Sequence, residues 1–204
     1  MRKETPIVLA ITAASGIVYG IRLLEYLLKE DYKVELIVSE RAYYIAKQEL
    51  GLEMKHDADV IKNNILSFIN LFDKSKNLKV FLNDELWASP ASGSYQTSGM
   101  IIAPCSMATL AAISAGFAEG LITRAADVII KERKNLVIVP RETPLSSIHL
   151  ENMLKLSNLG VSIVPPAVGF YADIKTVDDY INFIVGKILD ACGITNELYK
   201  RWQI

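Results

Sequence analysis

Two hydroxyl-bearing turns and an adjacent arginine and glutamate are the residues in this chain best suited to chemistry. The run Thr12-Ala13-Ala14-Ser15-Gly16-Ile17-Val18-Tyr19-Gly20 sets small side chains ahead of an amphipathic stretch. Small residues let backbone amides approach an anion at a helix start, and Ser15 can act there as N-cap or ligand hydroxyl. Pro104-Cys105-Ser106-Met107-Ala108-Thr109 repeats the theme. Ser106 and Thr109 bracket a first helical turn whose free N–H groups, those of Met107 and Ala108 included, suit a phosphate. Neither run ends like a P-loop or carries a GxGxxG fingerprint. Arg141 and Glu142 directly follow an apolar segment, where charges must be desolvated or used. Ser39, Tyr171 in Gly169-Phe170-Tyr171, and Lys187 among apolar neighbours add a hydroxyl, a phenol and a cation. Arg124, Asp127 and Lys131 share one helical face through i+3 and i+4 spacing. Taken singly, each has an ordinary explanation: a cap, a closed turn, a structural ion pair, a solvated stripe, a snorkelling lysine. The thiol of Cys105 before a helix start is open to the same choice, between activation and burial as a small hydrophobe.

The elements that must position these groups follow from periodicity. Near-continuous apolar runs predict strands at 6–12, 33–39, 78–82, 99–104, 136–139 and 161–164, with Pro104 and Pro140 stopping two of them. Helical spacing predicts helices at 17–29, 40–50, 58–72, 106–115, 121–133, 146–158 and 176–191. Residues 83–98 are irregular and rich in Ser, Pro and Gly. Alternating strands and helices give an α/β fold, read as one Rossmann-like, three-layer domain over 1–204, with a parallel sheet covered on both faces. Sites in such folds lie at the carboxyl ends of strands. Five of those ends, after the first, second, fourth, fifth and sixth strands, carry a hydroxyl, a cation or an aromatic. That convergence suits a phosphate-bearing cofactor, and the missing GxGxxG favours a flavin mononucleotide over a dinucleotide.

Composition removes other classes. With 22 basic and 23 acidic side chains the net charge is −1, which excludes electrostatic nucleic-acid binding. Half the chain (51%) is hydrophobic, which excludes a disordered, solvating protein. No apolar run approaches the roughly 20 residues of a membrane span. Arg2, Lys3 and the run Ile7–Ile11 superficially resemble a secretory leader, but Glu4 and Pro6 interrupt the approach, and a buried first strand is the reading kept. Two distant cysteines, Cys105 and Cys192, argue against a disulfide scaffold or zinc site and fit a cytoplasmic setting.

The runs TAASGIVYG, PASGSYQTSGMIIAPCSMATLAAI, LITRAADVIIKER, LVIVPRETPLSSIHLENMLKLSNLG and PPAVGFY, in this order across essentially the whole chain, closely resemble the UbiX-type flavin prenyltransferases. The resemblance implies transfer of a dimethylallyl group from dimethylallyl monophosphate to N5 and C6 of reduced FMN. The prenylated FMN would then serve UbiD-type decarboxylases. It implies FMN contacts from Ala13, Ala14, Ser15, Ser39, Ser106, Met107, Ala108, Thr109 and Arg141. Tyr171 and Lys187 would hold the prenyl phosphate, and Ser15, Trp87, Ser92, Arg124, Lys131 and Glu142 would fall in the active-site motifs. The family usually has Gly where Ala13 stands, and the Trp87 region is offset by a residue from its relatives. The resemblance also implies a homo-oligomer, commonly a dodecamer, with 83–98 and the tail Tyr199–Trp202 as contact elements.

Such chemistry builds negative charge on the departing phosphate, which fixed cations and donors stabilise. Lys131, Lys187, Tyr171 and Ser92 suit that role, an aromatic face such as Trp87 suits the allyl cation, and Glu142 suits proton transfer. The acidic spots Asp57-Ala58-Asp59 and Asp178-Asp179 do not resemble the aspartate boxes that clamp magnesium, in keeping with a metal-free reaction. Two rivals are weighed. A flavin-dependent cysteine decarboxylase relies on a catalytic histidine and a PASANT-like stretch, whereas this chain has PCSMAT and only His56 and His149. A non-catalytic carrier of FMN or its prenylated form would not need Glu142 and Lys131, both of which are present.

Overall fold

The computed structural model describes residues 1–202. Six strands, β1 (Ile7–Ile11), β2 (Val34–Val38), β3 (Leu78–Leu82), β4 (Gly99–Cys105), β5 (Leu136–Pro140) and β6 (Ser162–Ile163), form one sheet in the order β3-β2-β1-β4-β5-β6. Every pairing is parallel. The chain starts in the middle of the sheet, builds one half, then returns to build the other. That reversal opens a crevice above the carboxyl ends of β1 and β4, where ligands settle in such sheets.

Among the described residues, seven helices cover the two faces: α1 (Ile17–Lys29), α2 (Glu40–Leu50), α3 (Ala58–Phe68), α4 (Met107–Ala115), α5 (Leu121–Lys131), α6 (Ser147–Asn158) and α7 (Val177–Ala191). Alternate residues of β1 feed opposite cores. Ile7, Leu9 and Ile11 pack with α1, α2, α3 and α7, while Val8 and Ala10 pack with α5 and the inward residues of α4 and α6. All five β1 residues are buried, which is why the strand reads as an unbroken apolar run. Gly20 lets α1 lie directly on the sheet, since a Cβ there would strike the Ala103 carbonyl and the Ile11 side chain.

Expected boundaries move at several ends: β5 runs through Pro140 instead of stopping at Val139, and α5 ends at Lys131 rather than 133, where Arg133 turns left-handed (φ 53°). The third helix ends at Phe68 rather than 72, because Asn70 turns left-handed (φ 54°) and a separate 3-10 turn begins at Phe72. The fourth strand runs through Pro104 to Cys105 instead of stopping at the proline. Pro104 offers no N–H, but its carbonyl accepts from the Thr12 amide (3.2 Å) and hydroxyl (2.9 Å), and pairing with β5 resumes after a register shift.

Candidate active site

The carboxyl edge of the sheet is stitched together by Thr12. Its hydroxyl donates to the Pro104 carbonyl and accepts from the Ser106 amide at 2.8 Å, locking the β1–α1 turn to the β4–α4 turn. The β1–α1 turn is tight, with the Ala14 amide on the Thr12 carbonyl at 2.8 Å. Ala14 is buried, Ala13 half-buried and Ser15 exposed. Gly16 holds φ 99°, and a Cβ there would lie 2.7 Å from the Tyr19 ring. No side chain of the turn caps α1. The Glu49 carboxylate, reaching from α2, takes that place by accepting from the Gly16 amide (3.0 Å) and the Ile17 amide (3.0 Å). An anion therefore already occupies this helix start.

Ser106 caps α4 by accepting from the Thr109 amide at 3.2 Å, and the two hydroxyls pair at 3.0 Å. Ordinary capping thus holds, and it leaves the first-turn amides of Met107 and Ala108 facing outward. Ser39 stands at the start of α2 but makes no cap bond, and its hydroxyl is buried without a partner. Arg141 follows β5, its amide bonded to the Cys105 carbonyl at 3.2 Å, and its Nε is likewise buried and unpartnered. No ion pair joins Arg141 to Glu142. The Glu142 carboxylate instead accepts from the Thr143 amide at 3.0 Å and stays exposed. The ordinary explanation of these two residues, a structural Arg–Glu pair, therefore does not apply.

Buried donors without acceptors are costly. An orphaned hydroxyl after β2 and an orphaned guanidinium N–H after β5, on either side of the β1/β4 reversal, are what a bound phosphorylated flavin would satisfy. Tyr19 closes this side. Burial holds its phenol well above the ordinary range, with Tyr180 adding to the rise and the Arg141 charge opposing it. Burial likewise pushes the Cys105 thiol up, so Cys105 behaves as a small hydrophobe rather than a nucleophile.

The remaining candidates lie elsewhere in the chain. Lys131 ends α5 close to where β5 begins, while Arg141 follows that strand's other end, and the five residues of β5 alone span about 16 Å. Lys131 rests against Gly93, beside Ser92, and pairs with Glu132 at 2.5 Å. Arg124, two turns earlier on α5, pairs with Asp127 at 3.1 Å. Trp87 is 80% exposed. Trp87, Ser92, Arg124 and Lys131 thus belong to α5 and the segment passing over it. A third group sits on α7: the Tyr171 ring meets Phe183 edge-on at 6.1 Å, and Lys187 lies one turn further along. Lys187 is about 15 Å along α7 from its start and is only loosely paired with Asp190, at 3.9 Å. Trp202 meets Tyr171 edge-on at 5.5 Å, because Arg201 and Tyr199 fasten the tail to Asp190. Glu49, Tyr19 and Trp202 were not singled out in the sequence as site residues. Glu49 has only the generic look of a surface helix residue, and its role depends on where α2 crosses α1.

The family model described as Flavoprotein matches residues 1–189. The flavin prenyltransferase UbiX of Halalkalibacterium halodurans is 49% identical over 94% of this chain and 90% of its own. The chain belongs to the UbiX flavin prenyltransferases. Among solved structures, the dodecameric FMN-dependent UbiX-like decarboxylase from Escherichia coli O157:H7 is 38% identical, with a TM-score of 0.85 over 97% of this chain and 99% of that one. AnUbiX (PadA1) in complex with FMN and dimethylallyl pyrophosphate is 37% identical, with a TM-score of 0.84 over 98% of this chain and 97% of that one. A PPC decarboxylase shares only the fold, at 19% identity and a TM-score of 0.55. Against the UbiX background, the split of the candidate residues into three groups becomes the central structural fact about this chain.

Proposed function

We propose that this chain, acting as one flavoprotein domain, transfers the dimethylallyl group of dimethylallyl monophosphate to reduced FMN. The carbon–oxygen bond of the ester breaks, inorganic phosphate leaves, and the C5 unit becomes bonded to N5 and C6 of the flavin. Reduced FMN supplies the nucleophilic positions. Arg141, Ser39, the amides of Met107 and Ala108 and the Ala13–Ser15 turn would hold and orient it. Glu142, exposed at the rim, would move the proton that ring closure requires. Lys131, Lys187, Tyr171 and Ser92 would grip the departing phosphate, with Trp87 lending an aromatic face to the allyl cation and Arg124 adding positive charge.

These groups do not converge within one protomer, so the site is completed by other copies of the chain. Support for self-association comes from α6, where Ile148, Leu150 and Leu154 are all more than half exposed, and from the dodecameric E. coli relative. The prenylated flavin would pass to a UbiD-type decarboxylase. No described helix is long and apolar enough to cross a membrane, and two buried, unbridged cysteines suit the cytoplasm. The observation that carries the reading is the pair of orphaned donors, Ser39 Oγ after β2 and Arg141 Nε after β5, flanking the sheet reversal.

The test is anaerobic incubation with reduced FMN and dimethylallyl monophosphate, read by mass spectrometry of the flavin. A gain of one C5 unit is expected. Tight FMN binding with no mass gain would establish the carrier reading instead.

A further inference from the structure

One buried carboxyl lies outside the site as described so far. Glu35 is only 4% exposed, on β2 one strand in from the sheet edge, and interrupts an otherwise apolar strand. It faces the α5 side, because its neighbours Val34 and Leu36 feed the opposite core. Its Oε1 accepts from the Tyr95 hydroxyl at 2.7 Å and from the Ser89 hydroxyl at 3.3 Å, while Oε2 is buried without a partner. Across the sheet it stands beside Val8 of β1 and Lys79 of β3, whose ammonium lies over the Phe81 ring. A carboxyl placed there is costly to desolvate when charged.

What the carboxyl does is hold a loop. Ser89 and Tyr95 flank Ser92 by three residues on either side, and the backbone joins all three: the Ser92 amide donates to the Ser89 carbonyl (3.1 Å) and the Tyr95 amide to the Ser92 carbonyl (3.2 Å). The same segment meets the cationic end of α5, through Lys131 against Gly93 and Lys134 on the Tyr95 carbonyl at 3.1 Å. We propose that Glu35 is a positioning residue: by gripping Ser89 and Tyr95 through one buried oxygen, it fixes Ser92 beside Lys131 in the geometry that receives the prenyl phosphate. The proposal rests on the placement of Ser92 and Lys131 in the transfer site argued above.

Amide hydrogen exchange over residues 89–95 reads the tether without any turnover, and the anaerobic transfer assay reads its consequence. Glu35→Ala should speed exchange in 89–95 and lower kcat, each by roughly tenfold as fits the loss of such hydrogen bonds, with FMN affinity unchanged. Glu35→Gln, which keeps the acceptor oxygen, should recover most of the rate. Tyr95→Phe, which leaves β2 intact, should produce a smaller effect of the same kind, and it decides the matter should Glu35→Ala fail to fold. Unchanged exchange in 89–95 overturns the tether whatever the activity. Faster exchange with an unchanged kcat overturns the positioning role when Ser92→Ala does slow transfer. Should Ser92→Ala turn over like the parent, the placement of Ser92 in the site fails, and the positioning role fails with it.

Discussion

Arg141 and Glu142 are sequence neighbours with opposite fates. The guanidinium turns inward and leaves Nε buried without an acceptor, while the carboxylate turns out to the rim and bonds only to the next amide. That divergence separates binding from chemistry. Glu142→Gln should leave FMN affinity as it is and slow prenylation by about 10²–10⁴-fold, the usual range for losing a proton-transfer group; flavin titration beside single-turnover kinetics checks both halves. Arg141→Ala should do the reverse, weakening FMN binding first. An equal loss of binding in the two variants would contradict this division.

The elements were largely legible, and the misses have physical causes. The bounds of α1 and α2 follow from apolar spacing because α1 buries one stripe against the sheet and α2 a narrower one, Ala42 and Ala46, beside α1. The end of α3 was not legible, because Leu71 and Phe72 continue the apolar pattern past the left-handed Asn70. The passage of β4 through Pro104 depends on Thr12, a partner from another strand that no local pattern encodes. Nothing local singles out Glu35 within the strand predicted at 33–39, since the loop that uses it lies more than fifty positions away. The β1–α1 turn gives the sharpest test at this scale. Gly16→Ala forces a Cβ into a left-handed position against the Tyr19 ring, at a cost of about 1–3 kcal/mol. Chemical denaturation should register that loss together with weaker FMN binding.

For the whole molecule, legibility ended at the protomer boundary. The resemblance named the FMN, prenyl-phosphate and active-site residues together, yet one chain holds them in three places. If copies share a site, the defects should complement. Arg141→Ala and Lys131→Ala, each nearly inactive alone, should regain a measurable share of activity when dissociated, mixed and reassembled, as some sites then carry neither change. A mixture no better than its parts would mean that one chain supplies the whole site. Stability should also respond to pH through Glu35. Burial raises its carboxyl above the ordinary 4.5, against the lowering pull of Tyr95, Lys79 and Ser89. The folded state therefore holds the proton more tightly than the unfolded chain. The stability this lends is full below the ordinary glutamate range and is lost as pH climbs through the raised value. Thermal melts should show that decline in the parent and a flatter profile in Glu35→Gln.

The Glu49 carboxylate on the Gly16 and Ile17 amides has a bearing on which guests the crevice admits. A newcomer to that helix start does not meet bare dipoles; it has to evict a monovalent incumbent. A singly charged guest such as a phosphodiester brings no more charge than it displaces, whereas a phosphomonoester dianion does. The same latch would thus tilt the helix start toward a terminal phosphomonoester over an internal phosphodiester, with no glycine fingerprint and no steric barrier.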